Sequence, residues 1–457
     1  MTQTTTHSLP SLAPLAQSER ISIIDSLRGI ALLGILMMNI PYFGLPEGLA
    51  TNPVLANEMG TVNFRVWYFI EWFLEGSQRA IFSMLFGCGV LVFTTRLEAR
   101  VSGIMPAELF LRRQLWLLLF GLINAFVFLW GGDILYHYAI CGIILFAFRR
   151  VSPRYLILAA VITLAFQTMR ENRDIYLEKG KVQRGETIAA MDTTVTKLTP
   201  KQKDQLHAMN DFKNEQKLES KRKNVDKEIA AVQGNYGDLY DSRSRTSVWF
   251  ETTFMYFNLW DILVFMFLGL AFFKLGIIQG ESTLTTYVGM TVLGLGVGLF
   301  ISFLRLQSFL AFEFNFFEIT KNTNFAFYEI SRFVRAIGIF GFIMVLYKSG
   351  WFKWLFSLMR PVGQMAFTNY LMQSMICGIL FYGVGFGLFG RLQRYELYYV
   401  VASIWLFQII ASNIWLRYYR FGPMEWLWRS LTYWKIQPIK KNTTIEPAVA
   451  ESVQVNV

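Results

Sequence analysis

The chain has 457 residues, 54% hydrophobic, 16% aromatic and 16% charged, with a net charge of +11 and a mean hydropathy of +0.36. Soluble domains carry about 25% charged residues; here Glu171 to Ser247 alone holds 15 Lys/Arg and 13 Asp/Glu, which leaves the remainder poor in charge, as a membrane-embedded chain is. The basic excess lies largely at the ends of apolar segments, a positive-inside pattern rather than a nucleic-acid footprint; three histidines exclude a His-rich metal site, and Cys88, Cys141 and Cys377 sit in apolar segments without metal or disulfide spacing.

Residues 1–20, rich in Thr, Ser and Pro, read as a disordered tail. The first apolar stretch carries charges and lacks a small-residue exit, so it is expected to stay as an anchor rather than be cleaved. A span needs about 20 apolar residues, and ten candidates follow: 22–44, 79–97, 108–130, 132–149, 154–171, 251–274, 283–305, 325–348, 362–385 and 395–417. The expected fold class is all-α integral membrane, in two five-span halves, 21–171 and 248–417. Arg96, Arg100, Arg112 and Arg113, then Arg149, Arg150 and Arg154, then Lys348, Lys353 and Arg360, then the cluster from Arg417 to Lys441, all fall on one side if both termini are cytoplasmic. Val62 to Glu75 is helical in period but interrupted by Arg65, Glu71 and Glu75. A span there would swap the sides, so 62–76 is expected to be an interfacial or re-entrant helix on the outer face, its tryptophans at headgroup level. The charged insert 172–247 is placed outside the cytoplasm, because long loops translocate largely regardless of charge; its middle reads as a solvated helix or helical hairpin. Residues 418–435 read as a cytoplasmic interfacial aromatic helix, and 436–457 as a disordered tail.

Polar residues within the spans carry the functional signal, because a charge in the bilayer centre costs about 2.5–3.5 kcal/mol or more and is usually placed in a bundle interior. Asp25 and Arg28, at i, i+3, share a face of the first span and can neutralise each other. Arg79 opens the second span near the outer boundary, where it can bind an anionic group or snorkel to lipid phosphate. Asp133 and His137, at i, i+4, suit a carboxylate orienting a general base; Asp133 equally suits a helix cap after two glycines. Asp261 enters the sixth span. Glu329, Arg332 and Arg335 recur along the eighth, and Asn369 and Gln373 share a face of the ninth. Such entries to at least six spans point to a common polar cavity. Ser83, Gly87, Gly89 and the run Gly294-Leu-Gly296-Val-Gly298 read as close helix packing. No phosphate loop, dinucleotide fingerprint, nucleophile elbow or zinc signature occurs.

Four motifs carry a resemblance: Arg20-x4-Asp25-x2-Arg28-Gly29-x-Ala31-x2-Gly34-Ile35-x3-Asn39, Gly132-Asp133-Ile134-Leu135, Gly363-Gln364-Met-Ala-Phe-Thr368-Asn369-Tyr370-Leu-x-Gln373-Ser374, and Trp415-Leu-Arg417 through Arg420-Phe-Gly-Pro-Met-Glu425-Trp-Leu-Trp428-Arg429 to Tyr433. Together they resemble the YeiB-type bacterial inner-membrane proteins, a domain-of-unknown-function family loosely described as transport-associated, over nearly the whole chain. That family is similar in fold to the transmembrane acyltransferases, which move an acyl group from a cytoplasmic acyl-CoA to an extracytoplasmic hydroxyl or amine with the help of an outer histidine. The resemblance implies a multi-pass protein of the bacterial inner membrane, with the lipid bilayer as its surroundings, acyl-CoA as a co-substrate and no nucleic acid. His137 with Asp133 would then activate the acceptor. Asp25, Arg28, Asn39, Arg79, Asp261, Glu329, Arg332, Arg335, Asn369 and Gln373 would line the substrate path. The helix at 62–76 holds no histidine, which leaves His137 as the candidate within the bundle. Two alternatives use the same residues differently: a transporter, or transport-associated protein, for a small solute, and a non-catalytic membrane scaffold.

Overall fold

The computed structural model describes residues 21–191 and 197–441; the expected N-terminal tail, and the C-terminal one from 442, lie outside the described residues. The apolar periodicity becomes α1 (Ser22–Gly44), a short α2 (Glu47–Thr51), α3 (Val62–Phe73), α4 (Ser77–Arg100), α5 (Met105–Phe126), α6 (Leu135–Phe146) and α7 (Pro153–Ala189). The insert adds α8 (Pro200–Glu215), α9 (Leu218–Gln233) and α10 (Tyr236–Trp249), which passes through a π-turn, Phe250–Phe254, into α11 (Met255–Lys274). Then follow α12 (Leu284–Ala311), α13 (Phe316–Asn322), α14 (Tyr328–Ser349), α15 (Lys353–Gln364), α16 (Ala366–Phe381), α17 (Arg394–Tyr418) and α18 (Pro423–Tyr433). The described residues contain no strand, only an isolated bridge between Tyr419 and Lys440. Residues 436–441, expected in the tail, thus fold back along 418–420, with Arg420 N–H donating to the Ile439 carbonyl (2.8 Å).

Among the described residues, seven helical segments are long and apolar enough to cross a membrane: Ser22–Gly44, Val62–Arg100, Met105–Phe126, Tyr236–Lys274, Leu284–Ala311, Tyr328–Ser349 and Arg394–Tyr418. This is a membrane protein. α6 and α16 are shorter, 12 and 16 residues, or roughly 18 and 24 Å at ~1.5 Å per residue. Each replaces part of an expected span. The stretch 131–134 before α6 is not helical, and Met365 breaks α15 from α16. Non-helical backbone at membrane depth survives only where protein or a cavity surrounds it, and both breaks border the cavity described below.

Close packing rests on small residues, since lipid gives helices no hydrophobic reason to associate. Gly294 of α12 lies on Gly338 of α14, and Gly87 of α4 on the Met266 backbone of α11. Gly296, read with them from sequence, faces open space instead. Two ends of the bundle result. At the basic end Arg149 and Arg150 reach Glu98 (2.9 and 3.4 Å), and Lys274 donates to the Val151 carbonyl (2.7 Å). The insert sits at the other end.

That insert is a helical hairpin, α8 opened by a capping box between Thr199 and Gln202, but it is not a free appendage. α7 runs unbroken from the apolar 154–171 into it. Val232 is wholly buried, its carbonyl accepting from Gly383 N–H (3.0 Å), while Gln233 donates to the Phe389 carbonyl (2.6 Å). α3 also departs from expectation. Trp67 is buried edge-on to Phe314 (5.2 Å), and Trp72 Nε1 donates to the Leu299 carbonyl of α12 (2.9 Å). Protein gives each ring a large apolar contact, and gives Trp72 a fixed acceptor for its single N–H.

Candidate functional site

α1, α4, α5, α6, α16 and α18, with the α15–α16 junction, enclose a cavity of about 490 Å³. Its wall on α4 runs from Phe82 to Arg100, roughly 27 Å at ~1.5 Å per residue. The mouth, at the basic end, carries Arg28, Arg96, Arg100, Arg113 and Arg429 against Asp25 and Glu425, an excess of three cations among the described lining residues. Further in, the wall is apolar: Phe86, Val90, Phe93, Phe110 and Leu117. Gln114 is the polar exception, 2% exposed, and its Oε1 has no hydrogen-bond partner. Tyr138 and Tyr370 stand at the inner end.

Local chemistry builds each part of the mouth. Asp25 and Arg28 pair across one turn of α1 (3.4 Å), and Gln364 Nε2 donates to the other Asp25 oxygen (3.2 Å). Gln364 reaches it because α1 and α15 cross at Gly29 and Gly363, where a Cβ on Gly363 would fall on the Asp25 carbonyl oxygen. Arg113 lies 3.5 Å over the Trp428 ring and 5.0 Å from Phe93, a cation–π sandwich, and Trp428 Nε1 donates to the Arg113 carbonyl (2.9 Å). Glu425 accepts from the N–H groups of Phe367 (2.7 Å) and Thr368 (3.1 Å) and from the Thr368 hydroxyl (2.5 Å). A carboxylate thereby satisfies the free donors at the start of α16. Burial pushes the Glu425 carboxyl above its usual range, against the opposing pull of these bonds. α18, expected to lie along the membrane face, is therefore a wall of the cavity. The donors of α16 and the Arg113 stack hold it there.

The inner end is tied by hydroxyls. Tyr138 Oη meets Ser83 Oγ (2.7 Å) and donates to the Arg79 carbonyl (3.3 Å); Tyr370 Oη donates to Asp133 Oδ1 (3.2 Å). Asp133 also accepts from Asn124 Nδ2 (2.8 Å) and Tyr136 N–H (3.0 Å). Its carboxylate is thus engaged away from His137, which reaches only the Asp133 backbone carbonyl, Nδ1 to O 3.1 Å. The i, i+4 geometry expected from sequence fails because α6 begins at Leu135, leaving Asp133 outside the helix. The acid beside His137 is Glu251, Oε2 to Nδ1 3.5 Å, delivered by the π-turn.

Four other expected site residues come together nearer the insert end. Asp261 receives Arg79 (2.8 Å) and Arg332; Arg332 also donates to Glu329, which accepts from Gln167 (3.3 Å). Arg335 lies beside them, bonded to Ser77 (3.0 Å), Ser302, the Trp72 carbonyl (3.1 Å) and the Glu75 carbonyl. This network ties α3, α4, α7, α11, α12 and α14 together, and its charges answer one another. Asn369 and Gln373, expected to face a substrate, instead hold α16 to α17: Asn369 donates to Ser412 Oγ (3.0 Å), Gln373 to Gln408 Oε1 (3.0 Å). Neither lines the cavity, nor does Asn39, half-buried towards the far end of α1. Amides at membrane depth need partners, and a neighbouring helix supplied them. Of the expected residues, Asp25 and Arg28 line the cavity. The arginines that join them were visible in sequence, but as markers of sidedness; Glu251 and Gln114 gave no local signal beyond a polar residue in an apolar run.

A family model described as "Protein of unknown function (DUF418)" matches residues 272–435, from the end of α11 past α18. Over most of its length the chain is similar to "Uncharacterized protein YxaH" of Bacillus subtilis (strain 168), 28% identical over 457 residues, covering 96% of this chain and 100% of the relative. It is similar to "Uncharacterized protein YeiB" of Escherichia coli (strain K12), 28% identical over 420 residues, covering 91% and 96%. An "Uncharacterized 39.9 kDa protein in amylase 3'region" of Bacillus acidopullulyticus is 27% identical over 430 residues, covering 93% and 97%. No solved structure matches the chain significantly.

Proposed function

We infer the function from the cavity itself, because the chain belongs to the YeiB-type family, whose members here carry no assigned activity. The reading is a membrane acyltransferase that takes an acyl thioester, acyl-CoA, from the cytoplasm and passes the acyl group to a hydroxyl or amine on the other side. The observation that carries it is the shape and charge of the cavity: a mouth with five arginines to two carboxylates, an apolar barrel behind it, and a hydroxyl-lined inner end. The anionic nucleotide head of CoA matches the mouth, and its slender arm matches the barrel, which brings the thioester to the inner end. Asp133 directly precedes the lining residue Ile134, and His137 directly precedes the lining residue Tyr138. In the transfer the acceptor's proton passes to His137 as its oxygen or nitrogen bonds the acyl carbonyl carbon; the C–S bond breaks, and the thiolate recovers the proton.

The reading has a topology. α6, the first half of α7 and α16 join the seven long segments as spans, giving ten. Both termini and the basic end then face the cytoplasm of a bacterial inner membrane, and the insert lies outside. A transporter of a small anionic solute is the second reading, favoured by a cavity open at one end and closed by Tyr138 and Tyr370 at the other. Native mass spectrometry in mild detergent separates the two. Saturable binding of acyl-CoA, weakened by Arg28→Ala in a folded sample, supports acyl transfer. A folded protein that binds no CoA compound rules it out and turns the search to solute uptake or efflux.

A further inference from the structure

His137 and Glu251 meet where two irregular backbones meet. α6 starts late, after the non-helical 131–134, and α11 is reached through the π-turn Phe250–Phe254. π-turns are rare and concentrate at functional sites, where the extra residue re-aims a side chain; here Glu251 is turned inward. The two side chains are 2% and 5% exposed, with Glu251 Oε2 3.5 Å from His137 Nδ1. The same Nδ1 lies 3.1 Å from the Asp133 carbonyl. Neither Glu251 oxygen nor His137 Nε2 has a hydrogen-bond partner. Phe250 and Phe254 stand edge-on to the imidazole, centroids 5.0 and 6.4 Å away. Leaving a buried polar atom unbonded costs about 1–3 kcal/mol, so Nε2 and the Glu251 oxygen not turned to Nδ1 mark a place built to take a hydrogen-bonding group.

We infer that Glu251 is the positioning residue of His137: its carboxylate and the Asp133 carbonyl keep the proton on Nδ1, and the Nε2 lone pair is the base that receives the acceptor's proton. This deepens the acyl-transfer reading and rests on it for what the acceptor is. The Nε2 base takes the proton from the acceptor O–H or N–H, and the resulting imidazolium returns it to the leaving thiolate, so the pair is restored after each transfer. In this arrangement Asp133 contributes a backbone oxygen, and its carboxylate belongs to Tyr370 and Asn124.

Histidine-labelled protein in nanodiscs tests this directly, because ¹⁵N imidazole signals can come only from His7, His137 and His207, and loss of a signal in His137→Gln assigns the one concerned. The expected spectrum shows His137 as a single tautomer, protonated at Nδ1. Glu251→Gln is expected to shift the His137 Nδ1 resonance, and Asp133→Asn to leave it in place. An Nε2–H tautomer would overturn the inference. So would a resonance that follows Asp133→Asn and ignores Glu251→Gln. If either variant does not fold, the wild-type tautomer decides. Acyl-CoA binding measured on the same samples is a separate readout: a correct tautomer without binding sinks acyl transfer alone, and binding with the wrong tautomer sinks the Glu251 assignment alone.

Discussion

Gly363→Ala perturbs the crossing that shapes the cavity mouth. A methyl on Gly363 would collide with the Asp25 carbonyl oxygen, and would stand 2.8 Å from its carbon and 2.7 Å from Gly29 N, where ordinary contact is 3.4–4 Å. All three are backbone atoms, which have no rotamer to escape into, so α1 and α15 must part. Overpacking of this kind costs about 1–3 kcal/mol, and the absence of a yielding side chain puts the expected cost near the upper end. The separation also stretches the bond from Ser26 Oγ to the Phe356 carbonyl (2.8 Å) and that from Gln364 to Asp25 (3.2 Å), each worth about 1 kcal/mol. The expected loss is therefore about 3–5 kcal/mol, read as unfolding in a denaturing-detergent titration. Gly296→Ala is the control. It faces open space, so the better helix propensity of alanine is expected to leave stability unchanged or raise it by up to ~1 kcal/mol. Equal stability of wild type and Gly363→Ala would refute the tight crossing, and with it the account of how Asp25 and Gln364 are brought together.

Three further outcomes are expected. Arg28→Ala removes a cation next to a bound anion; about 4 kcal/mol at ~4 Å and an effective dielectric near 20, halved for its partial exposure, gives roughly 30-fold weaker acyl-CoA binding, while Asp25→Asn shifts the affinity the other way. Binding is expected to weaken as salt is raised through the range where the Debye length falls below ~10 Å, and a salt-independent constant would contradict a cationic mouth. Arg394 is 1% exposed and donates to Glu58 (2.7 Å) and to the carbonyls of Ala50 (2.9 Å) and Leu49 (2.6 Å), so Arg394→Ala is expected to cost about 3–5 kcal/mol at neutral pH. Burial already holds the Glu58 carboxyl above its usual range, against the pull of Arg394. Without that pull it rises further, so the variant's deficit should be largest at neutral pH and shrink as acid protonates Glu58; a deficit that grows in acid would contradict this sign.

Hydrophobic runs long enough to cross a bilayer made most of the helices legible, and charges inside them made Asp25, Arg28 and the cluster around Asp261 stand out. What sequence could not show was which helix answers each polar group. Asn369 and Gln373 display a polar face whether their partners are a ligand or Ser412 and Gln408, and only the packing of α16 on α17 decides. Arg96, Arg113 and Arg429 mark sidedness in any membrane protein; that they converge on one mouth depends on α18 folding back beneath α5, through Glu425 and Trp428. Asp133 misled because a spacing rule for helices was applied across a helix start, and Glu251 was hidden because a π-turn, which leaves no pattern in the residues, aims it at His137.

The central claim is that the pantetheine arm of acyl-CoA threads the barrel from the arginine mouth and brings its acyl thioester to the two tyrosines at the inner end. A thioester of CoA with a photoreactive group at the end of its acyl chain, crosslinked in nanodiscs and mapped by peptide mass spectrometry, tests it most directly. Adducts are expected on residues of the inner end, such as Tyr138 or Tyr370, to be competed away by unlabelled acyl-CoA, and to fall in Arg28→Ala. Adducts confined to the lipid-facing surfaces of α12 and α17, unaffected by competitor, would show that the cavity does not hold the acyl donor.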